Sequence, residues 1–288
     1  MKKKVIPAFM AVLILFLAVG CQKVEENREG ETTKPPVEAV TNALSQETKG
    51  TPSPEGTQTG SVQGEDSTDL MYTFREEIEE EKDGDFVYFR SILRYPVFEG
   101  EKAEEINGFV ASLSEGFREF LPEAREDAKY NYEDSLLAEF AFSGFPESEE
   151  FIVKCLWETS QYVTLFTQNI SDTGGAHPNV FCQAYVVDLT DGCQVSLERM
   201  LEPYGLTTEN MIEYATERIR KVHGEALYEY DDADDLEKDV VRFMQENQWY
   251  FNENGLVLFA NPYEIAAYAY GIIECEISYE ELEQGLKK

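Results

Sequence analysis

Apolar residues along this chain fall into three regimes. In the first twenty residues, MKKKVIPAFMAVLILFLAVG, three lysines precede a nearly unbroken apolar run that stops at small residues before Cys21. Between 22 and 70 apolar positions thin out and no aromatic residue occurs. From 71 onward they return in periodic order, with 34 of the 36 aromatic residues in that segment. Only this last regime can build a core.

The periodicity predicts the elements. DFVYFRSILRYPVF (85–98), β-branched and aromatic, is expected to be a strand that stops near Pro96. Ile106, Phe109, Val110, Leu113, Phe117, Phe120 and Leu121 recur at spacings of three and four, which predicts a helix, and Pro122 suits the first turn of a second one. EFIVKCLWE (150–158), YVTLFTQNI (162–170) and NVFCQAYVVDL (179–189) read as three sequential strands, hence an antiparallel meander, with a tight turn at Asp191-Gly192. Two further helices are expected, one from Thr207 or Thr208 to Gly224 and one across DDLEKDVVRFMQEN. A hairpin closed at Asn254-Gly255, a last strand in GIIECEISY and a helical turn in EELEQGL complete the set. Strands and helices come in clusters without βαβ alternation. The expected class is therefore α+β, antiparallel sheets packed with several helices in two intimately associated subdomains, 71–170 and 171–288.

The N-terminal pattern has the basic, apolar and small-residue regions of a secretory signal. AVGC resembles a lipobox, which implies cleavage after residue 20, a diacylated Cys21 and attachment to the extracytoplasmic face of a bacterial, Gram-positive membrane. Residues 21–70 then form a tether with a reach of roughly 40 Å. The formal net charge of -33 becomes -36 without the three leader lysines, and the segment from 71 onward alone carries 17 basic and 47 acidic residues. Such a surface repels nucleic acid and anionic lipid, which leaves neutral or cationic partners. The same acidity would also serve plain solubility.

Three segments, YPVFEGEKAEEINGFV (95–110), TGGAHPNVFCQAYVVDLTDG (173–192) and NENGLVLFANPYEIAAYAYG (252–271), resemble in order and spacing the extracellular domain pair of RsiV-type anti-sigma factors, which bind lysozyme. The same pair precedes the catalytic domain of PdaC-type peptidoglycan deacetylases. The resemblance spans residues 71–283 and implies an outer binding module; no anti-sigma segment or deacetylase domain accompanies it in this sequence. Ala267 stands where the family pattern has proline.

Candidate chemistry centres on two loops. In TGGAHP, Thr173, Gly174, Gly175 and His177 form a turn in which both glycines are expected at positive φ and His177 either orders the loop or meets a ligand. In NPYEIAAYAYG, Pro262 ends a strand, while Tyr263, Ala266, Ala267 and Tyr270 fall at helical spacing, so that part of this aromatic surface is expected to face the core and Tyr268 and Glu264 to project elsewhere. Tyrosine suits interfaces and core edges alike, so this loop is a partner surface or a structural corner. The resemblance favours partner contact by Thr173, Gly174, Gly175, His177, Pro262, Tyr263, Glu264 and Tyr268.

No nucleophile elbow, phosphate loop or dinucleotide fingerprint occurs, and His177 and His223, 46 residues apart, give no metal-ligand pattern; neither enzyme activity, cofactor nor metal is expected. The acids at 231, 232, 234 and 235 lack the spacing and glycine of a calcium loop and read as a helix start. Cys155, Cys182, Cys193 and Cys275 allow two disulfides or four free thiols. A two-residue turn at Asp191-Gly192 would place Cys193 opposite Thr190. The function expected is a lipid-anchored receptor or decoy for a lysozyme-like basic protein; the alternative is a module that binds peptidoglycan glycan by stacking on the tyrosines.

Overall fold

The computed structural model describes residues 70–137, 144–230 and 235–286. The leader, Cys21 and the tether to residue 69 lie outside them, as do acids 231, 232 and 234. Among the described residues eight strands and five α-helices occur: β1 (Met71–Asp83), β2 (Phe86–Glu99), α1 (Ala103–Leu137), β3 (Glu147–Glu158), β4 (Tyr162–Asp172), β5 (Asn179–Asp188), α2 (Leu197–Leu201), α3 (Thr208–His223), α4 (Asp235–Gln245), β6 (Trp249–Asn252), β7 (Gly255–Ala260), β8 (Ile273–Ser278) and α5 (Tyr279–Glu283). The class is α+β, with sheets ordered β1-β2-β3-β4-β5 and β6-β7-β8.

Side-chain alternation assembles these into four layers. On one face of the large sheet, Val153, Val163, Leu165 and Val187 pack with Ile106 and Val110 of α1. On the other, Phe166, Cys182 and Ala184 meet Tyr250, Val257 and Phe259 of the small sheet. The opposite side of the small sheet, including Phe251, Leu256, Leu258 and Ile277, packs with Met211, Ile219, Leu236, Val240 and Phe243 of α3 and α4. The order is helix, sheet, sheet, helices. Because strand residues alternate faces, each central strand serves two cores.

The structure departs from expectation in several places. β1 was not legible: MYTFREEIEEEKD contains six acids, which disfavour strands. It forms because β2 and α1 bring cations to those acids: Arg90 lies 2.7 Å from Glu80, Arg118 lies 3.0 Å from Glu77, and Arg125 binds Glu79. Pro122 does not begin a second helix; it lies inside the 35-residue α1. An interior proline costs about 3 kcal/mol. Burial of Phe117 and Leu121 beside it, against Phe89, Leu93 and Phe151, is worth about 1.5–3 kcal/mol per side chain and offsets that loss.

α1 also carries the chain from β2 to β3, which are parallel, so the fold contains one βαβ crossover where none was expected. All other ladders are antiparallel. Asn107 near the start of α1 steadies this crossover by bonding both backbone groups of Phe98, each at 2.8 Å. The expected subdomain division at residue 170 falls within β4, whose register with β5 is continuous from Tyr162 to Ser171.

The expected cap of α3 is Thr207, and α5 has a cap of the same kind that was not anticipated. Thr207 accepts from Asn210 N, and Ser278 accepts from Glu281 N, each in a reciprocal capping box. Asp235 lies in the first turn of α4, consistent with acids favouring a helix start. In the β6–β7 hairpin the turn residues are Glu253 and Asn254, since Asn252 pairs with Gly255. Gly255 has φ +145°, and a Cβ there would lie 2.1 Å from the Ile277 carbonyl oxygen. The Asp191-Gly192 turn is longer than two residues: Asp188 N donates to Cys193 O at 2.9 Å, so Cys193 lies opposite Asp188, not Thr190. All four described cysteines are free thiols.

Candidate functional site

The β4–β5 loop and the β7–β8 loop meet at one end of the double sheet. Asn261 makes the junction. Its Oδ1 accepts from Cys182 N at 2.7 Å and its Nδ2 donates to Cys182 O at 3.2 Å, so one side chain continues the edge of β5 as a strand would. Asn261 is buried, and both its amide groups are satisfied.

Glu264 forms the floor. Its Oε2 accepts from Asn261 N at 2.6 Å and Gln248 Nε2 at 2.5 Å, and its Oε1 accepts from Arg242 Nη1 at 2.7 Å. Arg242 also pairs with Asp239 and Glu246 on α4. Burial alone would lower the pKa of Arg242, but the Glu264 carboxylate and its neighbours hold it above the ordinary guanidinium value. Glu264 thus anchors the loop, its side chain turned inward and largely covered. The next segment is tied from below as well, where Tyr228 N donates to Ile265 O at 2.9 Å and Leu227 bridges Ala266.

On this base three rings assemble. His177 stacks on Tyr268 with ring centroids 3.6 Å apart and planes 9° from parallel. Its Nε2 lies 2.9 Å from the Tyr263 hydroxyl, and its Nδ1 lies 3.1 Å from Pro178 O. A carbonyl oxygen can only accept, so Nδ1 carries a proton. In the neutral ring Nε2 is then the acceptor and Tyr263 donates to it. Tyr263 closes the cluster, 5.5 Å from Tyr268.

The backbone explains which rings are presented. Tyr263 has φ +72°, uncommon for a residue with a Cβ, and its side chain turns outward, 52% exposed. Residues 263–270 are not a continuous helix; only Tyr268–Tyr270 form a 3₁₀ turn. The expected helical spacing is therefore corrected: of Tyr263, Ala266, Ala267 and Tyr270 only Ala266 reaches the core, and neither tyrosine does. Ile265 and Ala266 are buried, while Tyr270 is 55% exposed. The broken helix is a consequence of Glu264 and Asn261 fixing the turn before a helical ladder can start.

In the partner loop, Asp172 Oδ1 accepts from Gly174 N at 2.9 Å and Gly174 has φ +77°. Gly175 is not among the positive-φ residues, and a Cβ on it would make only an ordinary 3.7 Å contact, so the second glycine is not required by geometry. Thr173 is exposed, and Pro262 is half-buried. The structure brings together His177, Tyr263 and Tyr268 from the sequence-derived candidates. It adds Tyr270 as an exposed ring and Asn261, Arg242 and Gln248 as supports. Asn261-Pro262 was read only as a strand end, and nothing in the local pattern of Arg242 or Gln248 marked them as partners of a residue 16 to 22 positions away.

Among the described residues, no group of three or more His, Cys, Asp and Glu side chains is placed to hold a metal ion, and no helix is long and apolar enough to cross a membrane. Burial pushes the Cys182 and Cys275 thiols up to about 12 and Cys155 likewise, so none is poised as a nucleophile at neutral pH.

Comparison with known proteins gives a family label for part of the chain. No curated protein matches the sequence. Two solved structures are similar in outline. A DUF3298-family protein from Bacteroides fragilis NCTC 9343 is 16% identical, with a TM-score of 0.49, over 74% of this chain and 92% of that one. Another from Pseudomonas aeruginosa PAO1 is 18% identical, with a TM-score of 0.39, over 76% and 94%. Residues 206–280, which run from α3 through the Tyr263 loop into α5, match the model of DUF3298, a protein family of unknown function.

Proposed function

We propose that the protein is a lipid-anchored extracytoplasmic binding module, tethered through Cys21, whose aromatic loop cluster engages a basic protein of the lysozyme type as a receptor or decoy. The observation that carries the reading is the convergence of two sequence-distant loops on His177, Tyr263 and Tyr268, with Tyr263 and Tyr270 left open to solvent. Rigid aromatic rings on a pre-ordered base lose little entropy on binding. The formal net charge of -33 supplies long-range attraction for a cationic partner. The resemblance to the RsiV-type domain pair supports the same ligand class, and the lipobox-like AVGC supports the location.

The test is binding of the full chain to immobilised lysozyme across a salt series, with Tyr263→Ala and Tyr268→Ala beside the wild type. The reading requires saturable binding that persists near an ionic strength of about 0.15 M. It also requires a loss of about tenfold or more for either tyrosine. Binding that disappears with modest salt and ignores both substitutions sinks it. Salt-insensitive binding to peptidoglycan glycan that depends on the tyrosines would instead establish the carbohydrate reading.

A further inference from the structure

On the side of the large sheet that faces α1, a polar row runs up to Ser171, two residues before the β4–β5 loop begins. Glu79, Ser91, Glu149 and Ser171 lie in register across β1 to β4. Glu147, two residues from Glu149, shares its face. Both glutamates are 5% exposed. Glu149 Oε1 accepts from Ser171 Oγ at 2.7 Å, whereas its Oε2 is buried without a hydrogen-bond partner. Glu147 Oε1 accepts from Asn131 Nδ2 of α1 at 3.0 Å.

The charges around this pair have the wrong sign to stabilise two carboxylates. Asp127 of α1 and Asp172 of β4 both act unfavourably on Glu147, and Glu147 acts on Glu149. Arg125 of α1 pairs with Glu79 and Glu81 of β1, and its buried Nε is left without a hydrogen-bond partner. Among the described residues neither Glu147 nor Glu149 has a lysine, arginine or histidine in an ion pair. A buried carboxylate so placed is expensive, and the smallest group that removes its charge is a proton. Burial is the main cause that raises the pKa of Glu149; the Ser171 hydrogen bond opposes it and Glu147 adds to it, leaving a value of about 7.

The helix above can respond in halves. Pro122 has no N–H, so the ladder of α1 lacks a bond to the Arg118 carbonyl. Before that point α1 packs through Ile106 and Val110 into a large apolar cluster. Beyond it, Ala128 is the only fully buried residue, and Leu136 and Leu137 are 62% and 85% exposed. The ties that remain there are Arg125 to Glu79 and Glu81 of β1, Asn131 to Glu147, the Tyr132 hydroxyl to Asp83 at 3.1 Å, and the stacking of Tyr132 on Phe86 and Tyr88.

We propose that Glu149, held against Glu147, is a proton-binding site whose ionisation releases residues 124–137 of α1 from the sheet. With the proton bound, the helix lies flat over the Glu79-Ser91-Glu149-Ser171 row. When the proton is lost to solvent, the negative charge is relieved by admitting water beneath the helix, with Pro122 as the hinge. This device does not depend on the ligand of the loop cluster.

Hydrogen exchange of the full chain, corrected for the intrinsic pH dependence of the amide rate, tests it between about pH 5 and about pH 9. Protection of 124–137 is expected to fall on the order of a hundredfold as pH rises through about 7, while 208–223 in α3 keeps its protection. Glu149→Gln should abolish the fall. Ser171→Ala should move its midpoint upward, because that hydrogen bond favours the charged carboxylate, and Glu147→Gln should move it downward. Should Glu149→Gln not fold, these opposed shifts carry the test. Uniform protection across pH in the wild type overturns the proposal, as does a fall that persists in Glu149→Gln or a midpoint that ignores both neighbours. Restoration of protection at high pH by added calcium would also overturn it, by showing a metal site in place of a proton site.

Discussion

The small sheet and the α1 seam of the large sheet are both buried, yet they are built from opposite materials. The small sheet is dry: all six residues of β7 are buried, and its helix-facing side joins a cluster dominated by Leu, Ile, Val and Phe. The seam beyond Pro122 is polar under a helix, with two carboxyls, two serines and one asparagine around a thin apolar cluster. Apolar burial is non-directional and indifferent to pH, whereas a buried carboxyl changes its energy with one proton. The rigid side holds the loop that presents the tyrosines. The titratable side is where the structure can move.

The contrast can be broken most severely at Gly255. Gly255→Ala puts a Cβ at φ +145° against the Ile277 carbonyl and should destabilise by at least about 3 kcal/mol, seen as a lowered denaturant midpoint. Phe251→Ala, deep in the dry core, is expected to cost about 3–5 kcal/mol at every pH from about 5 to 9; a pH-dependent loss would contradict the division of the molecule drawn above.

On the polar side the sign reverses. Glu149 has a folded-state pKa of about 7 against an ordinary 4.5, so the folded state holds its proton more tightly than the unfolded state. Stability from this group is complete below about pH 4.5 and is lost as pH rises to about 7. Glu149→Gln should therefore leave stability little changed in acid and raise it by about 2 kcal/mol at about pH 8, measured by urea unfolding at both values. An equal effect at the two values would deny the buried charge.

Arg242→Ala sharpens the link between the dry core and the loop. It strips Glu264 of its cation, and a loss of about 1–2 kcal/mol is expected, discounted because Arg242 is partly exposed. Lysozyme binding should weaken with it even though Arg242 touches neither tyrosine. The smallest effect is at Ala267, whose φ of -64° already suits proline and which follows an extended residue. Ala267→Pro should add about 0.4–1 kcal/mol of stability; destabilisation would mean that the Ala267 N–H is needed.

Particular residues show where sequence reading succeeds and where it stops. Thr207 and the apolar stripe from Ile106 to Leu121 were legible because caps and helical faces are written within a few residues of one another. β1 was not, because the bases that neutralise its glutamates come from β2 and α1, up to 46 positions away. Pro122 misled because local propensity places it at a helix start while burial of its neighbours decides otherwise. Both loops of the candidate site were visible as glycine, histidine and tyrosine clusters, but the orientation of their side chains was not. Glu264 and Tyr270 exchanged the roles expected of them: one turned in to Arg242, the other out to solvent.

By itself, then, the sequence determined the periodic segments, the α+β class, the acidic character and the two loops that carry candidate chemistry, since each is encoded in short-range pattern or composition. The tertiary structure alone decided that β2 and β3 run parallel through α1, that His177 lies on Tyr268, and that Glu149 is sealed beneath a helix. Those outcomes depend on which distant groups come within a few ångströms of each other, and burial, pairing and pKa are properties of that proximity rather than of neighbouring residues in the chain.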